Sequence, residues 1–387
     1  MQNERKRILS MLENGTITIE EALTLLEAME KTTSGPSKQP ENPSETTYQK
    51  ATEDEYVESE PKSTKRDDSM DDFLSDLRKD VSHAGERFMQ FMQTAVQRVK
   101  TFDFDSPFGS SITFTHSITK PVDQLDEIIV DIDNGKLTIQ ANEDPESSEV
   151  AADFTVKAFN QKTEEEAKEE FLKKLVFMND EGKLRLVSDL KLIQVNVVLT
   201  VPQKEYEKLS IRLLNGETVL HSLSAGKLYC KTANGKIEGA HLKFHEAELE
   251  TGNGKIQLKE IQGEELSAET MNGRVYISGS VKDVEAKSLN GHVVVTTTDS
   301  EARKVEARTV SGSVEIYVPS DIPLSGEIST NMGRLDLQLD DVNRTRVEEQ
   351  FLQRSIGFHK HTEEERTPLF INGEAKTGSV IVCYNVK

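Results

Sequence analysis

Along residues 209–337 small and apolar side chains fall at every second position, and each such run ends in the same polar corner. Leu228, Cys230 and Thr232 lead into Asn234-Gly235 and out through Ile237, and Leu249 and Thr251 lead into Asn253-Gly254 and Ile256. Leu266, Ala268 and Thr270 lead into Asn272-Gly273 and Val275, and Val284, Ala286 and Ser288 lead into Asn290-Gly291 and Val293. A period of two marks a strand with one buried face. The corner glycine recurs after 19 residues from Gly216 to Gly235, Gly254 and Gly273, after 18 at Gly291, and after 21 at Gly312 and Gly333. Asn-Gly between alternating runs also signals a hairpin, so an antiparallel meander competes. A constant step with a constant corner favours a chain that coils, each copy stacked in register on the last. The pattern predicts a mainly β fold, a parallel β-helix or β-solenoid with coils of about 19 residues.

Stacking gives the corner residues a mechanical role. Asn234, Asn253, Asn272 and Asn290 fall in phase with the inward residues before them, so their amides can bond along a column. Gly235, Gly254, Gly273 and Gly291 supply the positive φ of a sharp bend.

The flanking sequence divides into further parts. Residues 1–31 read as a helical hairpin: Ile8, Leu9, Met11 and Leu12, a turn at Asn14-Gly15, and a second helix that Thr18 and Glu21 open as a capping box. So short a pair buries little alone, which predicts self-association or a partner. Residues 32–69 are rich in Ser, Thr, Pro, Glu and Lys and read as a disordered linker. Helical periodicity returns over 70–104, with Phe73, Leu77, Val81, Phe88, Phe91, Met92, Ala95, Val99 and Phe102 at three- and four-residue steps. A first copy of the repeat at 125–140, carrying Asn134-Gly135, begins a β region over 121–387. Within it, 153–201 is an insertion with a charged helix from Thr163 to Lys174, and 341–387 is a terminal cap whose segment 341–368 reads as helix and loop. Proline is absent between Pro202 and Pro319, as an uninterrupted ladder requires.

A formal charge of -21 on 387 residues argues against nucleic acid as a partner. No apolar run reaches the length of a membrane span, and the first residues lack a signal-peptide core, so the expected location is cytoplasmic. Cys230, inward, and Cys383, outward, read as free thiols.

Catalytic and metal-binding signals are weak, and the sequence predicts no enzymatic activity, cofactor or metal. Of the positions three after the motif glycine, only Glu315 and Asp336 are acidic on successive copies, which reads as solvated surface more readily than as an acid and base. His241 and His245 lie four apart in strand-like sequence, a poor spacing for a shared metal. Directly after the motif glycine stand Lys236, Lys255, Arg274, His292 and Arg334, a candidate anion-binding stripe, with neutralisation by Glu238, Glu315 and Asp336 as the competing reading. Arg87, Phe88, Phe91, Met92, Arg98 and Lys100 form a candidate helix for a weak anionic membrane contact or a partner groove. Packing of that helix along the β-helix is the alternative.

Val201-Pro202 followed by Leu209-Ser-Ile211-Arg-Leu213-Leu-Asn215-Gly216, with the recurring Thr-x-Asn-Gly-[Lys/Arg]-[Ile/Val], resembles the DUF4097 adhesin-like β-strand-repeat family. The stretch from Arg7-Ile-Leu9 to Ala28 is similar to the SHOCT-like domain that precedes such repeats in Gram-positive bacteria. The resemblance implies a non-enzymatic scaffold or sensor in the cell-envelope stress response, beside phage-shock-like and Lia-type membrane proteins, with a homo-oligomer through the amino-terminal domain. A surface-exposed adhesin or decoy is the second reading, and a carbohydrate-active β-helix enzyme the third. Glu217-Thr218 after Gly216, and Ser311 in place of Asn, depart from the pattern and predict a broken Asn column.

Overall fold

The computed structural model describes residues 111–159, 163–190, 193–350, 353–362 and 366–385. The helical pair, the linker and the amphipathic helix expected over 1–31, 32–69 and 70–104 lie outside them.

The repeats coil. Ser224–Asn234 pairs in parallel with Glu205–Asn215 on one side and Lys243–Asn253 on the other, Asn facing Asn each time. After the corner, Ile237–Ala240 pairs in parallel with Thr218–His221 and with 256–259. Asn253-Gly254 is therefore a corner between two parallel sheets, and the meander is excluded at this point. Leu228, Cys230 and Thr232 lie in register between Leu209, Ile211, Leu213 and Leu249's row, all inward and buried. Strand pairing passes over Glu207, Gly226, His245 and Glu264. There the buried alternation changes phase, from Ala225 to Leu228 for example, so the long strand bends and gives each coil a third side.

Irregular steps in the repeat have local causes. The second corner holds Ser222, His241 and Glu260 at φ 55°, 55° and 53° on successive coils. The following coil lacks that residue: Lys259 faces Ser278 and Ile261 faces Gly279, which is the 18-residue step. The 21-residue step from Gly291 to Gly312 accommodates a loop between Val293–Thr297 and Lys304–Ser311.

Stacking order departs from chain order at both ends. The coil at 127–141 lies between the coil at 205–221 and one made by Lys183–Ser188 and Ile193–Val201. The supposed insertion thus supplies the outermost coil. It also carries the expected helix, Glu164–Lys174, with the Thr163 hydroxyl accepting from the Glu166 amide at 3.2 Å. Phe171 of that helix meets Phe154 and Phe114 edge to face, with centroids 5.5 and 5.9 Å apart, and closes this end of the core.

At the other end, Leu369–Thr377 and Val380–Tyr384 insert between the coil at 304–318 and the coil at 324–338. The last strands are therefore not the terminal layer, and Gly312 and Gly333 are not on adjacent coils. The segment read as helix and loop forms Asn343–Gln350 and Gln353–Lys360, an antiparallel pair that extends Leu324–Met332. Alternating Ile356 and Phe358, the latter buried, supplies an inward face that the polar composition conceals.

Candidate functional site

The recurring polar residues bond one coil to the next. Asn215, Asn234, Asn253, Asn272 and Asn290 each donate from Nδ2 to the Oδ1 of the Asn one coil back, beginning at Asn134, over 2.7 to 3.0 Å. Asn215 belongs to this column despite the departure that follows it. The column stops where Ser311 stands in place of Asn. Asn234, Asn253, Asn272 and Asn290 are exposed, so the ladder runs outside the corner and not in phase with the core as the alternation implies.

Inside the corner a second column was not anticipated. Thr251, Thr270 and Thr309 donate from their hydroxyls to the carbonyls of Gly235, Gly254 and Gly291 at 2.8 to 2.9 Å, and Ser288 donates to Gly273 at 2.9 Å. A hydroxyl two residues before the Asn in successive copies, at Thr232, Thr251, Thr270 and Ser288, was its sequence signal. The glycine has a steric reason beyond its φ, which is +155° at Gly235: a Cβ on Gly254 would overlap the Gly235 carbonyl oxygen. Backbone approaches backbone at this corner.

The candidate anion-binding stripe is interleaved with carboxylates. Glu217 pairs with Lys136 at 2.6 Å and Lys236 at 3.0 Å, and Glu238 pairs with Lys236 at 3.1 Å and Lys255 at 2.7 Å. Partial burial opposes it, yet Lys136 and Lys236 hold the Glu217 carboxyl below its ordinary range. Lys236 and Lys255 are thus neutralised in place. Arg274 is exposed, and His292 accepts from the Ser313 amide at 3.3 Å. Arg334 meets Asp336 at 3.3 Å on the outermost coil, with the coil at 369–384 separating it from Ser313. The same insertion places Ile381 between Glu315 and Asp336, so these two acids do not sit on neighbouring coils.

His241 faces Glu260 at 3.1 Å, while His245 lies 3.6 Å from Glu205, and the two histidines do not converge. Among the described residues no three His, Cys, Asp or Glu side chains group as metal ligands. Burial pushes the Cys230 thiol up to about 12, and Cys383 donates to Gln338 at 3.3 Å. The candidate helix residues from Arg87 to Lys100 lie outside the described residues.

The most unusual electrostatics lie on the outer face of the long strands. Lys231, Glu250, Glu269, Lys287, Arg308 and Glu374 form one row in register. Lys231 reaches Glu248 at 2.7 Å and Glu250 at 3.1 Å; Lys287 reaches Glu269 at 3.3 Å and also pairs with Glu285. Glu250 is only 2% exposed and Lys287 5%, uncommon for residues pointing away from a core. Burial, reinforced by Glu248, pushes the Glu250 carboxyl up, and its Oε2 has no hydrogen-bond partner. Burial also raises Glu269.

Beside that row runs an apolar one: Leu214, Ala233, Gly252, Met271, Leu289 and Val310, the x of Thr-x-Asn-Gly and its equivalents. Leu214, Ala233 and Val310 are buried, yet none belongs to the contiguous core. Period-two reading assigns this position to solvent, and its small or apolar content in the six successive copies from Leu214 to Val310 was the unused signal.

These columns define a β-solenoid of stacked repeats whose motif residues are engaged in joining coil to coil. The family described as Toastrack DUF4097 matches residues 125–364, and the chain belongs to that family. A SHOCT-like domain matches residues 3–34. The uncharacterized protein YvlB of Bacillus subtilis (strain 168) is 28% identical over 390 residues, covering 100% of both chains. Among solved structures, a candidate adhesin from Bacteroides fragilis is 12% identical, with a TM-score of 0.36 over 70% of this chain and 97% of that one. A candidate cell adhesion protein from Clostridium sporogenes, also 12% identical, gives 0.25 over 71% of this chain and 100% of that one.

Proposed function

We propose that this protein is a non-enzymatic scaffold or sensor of the cell-envelope stress response, working from the cytoplasmic side of the envelope. The β-solenoid offers an elongated binding surface, and the SHOCT-like segment brings copies or protein partners together. One observation carries the reading. The recurring motif residues, Asn, Gly and Thr, are committed to coil-to-coil bonds, which makes the repeat a device for building a surface of registered rows.

The test has two parts. Intact cells treated with external protease should leave the full chain uncut, while fractionation should find part of it with membranes. In a purified full-length protein, Leu23→Asp with Leu26→Asp in the SHOCT-like segment should lower the solution mass and release co-isolated membrane proteins. Cleavage in intact cells would instead favour the adhesin or decoy reading. Unchanged mass and partners would remove the assembly role.

A further inference from the structure

The apolar row outside the core, Leu214 through Val310, is bounded in the stack by Asp133 at one end and Lys376 at the other. Its six positions span five coil spacings, about 24 Å. Ala233 and Gly252 are the smallest members and leave a dip between Leu214 and Met271. The face beside the row leans acidic. Over the coils between 224 and 318 it presents Glu248, Glu269, Glu285 and Glu306 against Lys231, Lys287 and Arg308, with Glu250 among them held toward its protonated form by burial. Glu250 contributes a buried carboxyl oxygen, Oε2, with no hydrogen-bond partner. Among the described residues no element crosses this face, and the helix Glu164–Lys174 packs at the other sheet's end, against Ser111–Pro121.

Residues 87–102 of the same chain match this groove in length, shape and charge. Read as a helix they are about 24 Å long. Phe88, Phe91, Met92, Ala95, Val99 and Phe102 then fall within an arc of about 100°, which Met89 and Val96 widen on one side. Arg87 and Arg98 border the other side of that stripe, and the segment from Arg87 to Lys100 contains no acidic residue. An aromatic side chain would fill the dip at Ala233 and Gly252, and the arginines would lie over the carboxylate row. We propose that the outer groove along Leu214, Ala233, Gly252, Met271, Leu289 and Val310 is the docking site for residues 87–102 of the same chain. The inference is independent of the cellular role proposed above.

Met271 reports on the groove, and Met332, 65% exposed, is an internal standard. In full-length protein under mild peroxide, Met271 should oxidise at least about fivefold more slowly than Met332. Phe88→Asp with Phe91→Asp should remove most of that protection while the β circular dichroism stays unchanged. Arg87→Glu with Arg98→Glu, which keeps the apolar stripe, should remove part of it and provides a second route if the first variant misfolds. Protection that is identical in all three proteins overturns the proposal. So does equal oxidation of Met271 and Met332 in the wild type, the result expected if the segment serves only a lipid surface. Protection that disappears on dilution assigns the groove to a second copy and overturns docking within one chain.

Discussion

The hydroxyl of Thr251 donates to the carbonyl of Gly235 at 2.8 Å, joining the inside of one coil to the corner of the coil before it. Thr251→Val keeps the shape of the side chain and leaves the buried carbonyl without this donor. The expected loss is about 1–2 kcal/mol, read from the urea midpoint. Gly254→Ala should cost more, about 3 kcal/mol, because the new methyl meets the same carbonyl and a backbone cannot step aside. Equal, small effects at both positions would contradict the close approach.

The exposed Asn column makes a contrasting prediction. Asn253→Ala removes one donor and one acceptor from a solvent-facing ladder and should cost about 1 kcal/mol or less. Asn253→Asp keeps the acceptor for Asn272 but faces Asn234 Oδ1 with no donor when ionised. It should be the less stable of the two at pH 7 and recover when titrated to pH 3, as thermal melts at the two pH values would show.

Glu250 predicts the sign of a pH effect. Its folded pKa is raised from 4.5 to about 9, so the folded chain holds this proton more tightly than the unfolded chain. Its contribution to stability is complete below about pH 4.5 and is lost as the pH rises toward 9. Glu250→Gln should therefore stabilise the protein at pH 8, by on the order of 1 kcal/mol, and make little difference at pH 4. A variant that is destabilised equally at both values would show that the carboxylate is favourably paired.

Removal of the last strands should be disproportionate. A chain ending at Arg366 loses the coil between 304–318 and 324–338, an interior layer. We expect loss of cooperative melting and strong binding of a hydrophobic dye. A truncated protein with the intact unfolding profile would indicate that the two flanking coils can close on each other.

Much of the solenoid was legible because period two and a recurring corner are both local. Leu228, Cys230 and Thr232 declare their inward face, Asn234-Gly235 declares the bend, and the proline-free interval from Pro202 to Pro319 encloses the six coils that follow chain order. Stacking order was not legible at the ends. Thr377-Gly378 announces a coil, but every coil presents the same register, so nothing local says that it seats between Ser311-Gly312 and Met332-Gly333 and not beyond Gly333. The strands over 343–360 were hidden because an edge strand needs only one modest apolar face, here Ile356 and Phe358. The groove was missed for a different reason. A rule that assigns alternate residues to solvent has no place for Ala233, Met271 and Val310 on an outside that is itself apolar.

The displaced final strand pair also governs how this protein can be made. A stack in simple chain order could settle coil by coil as the polypeptide emerges during synthesis. Here the layer formed by 324–338 has no parallel neighbour on its inner side until Leu369–Thr377 and Val380–Tyr384 arrive, and those are translated after it. Folding of that layer waits for strands that come later in the chain. Once seated, Leu369–Thr377 and Val380–Tyr384 are held on both flanks, so fraying cannot begin there without first parting an interior layer of the stack.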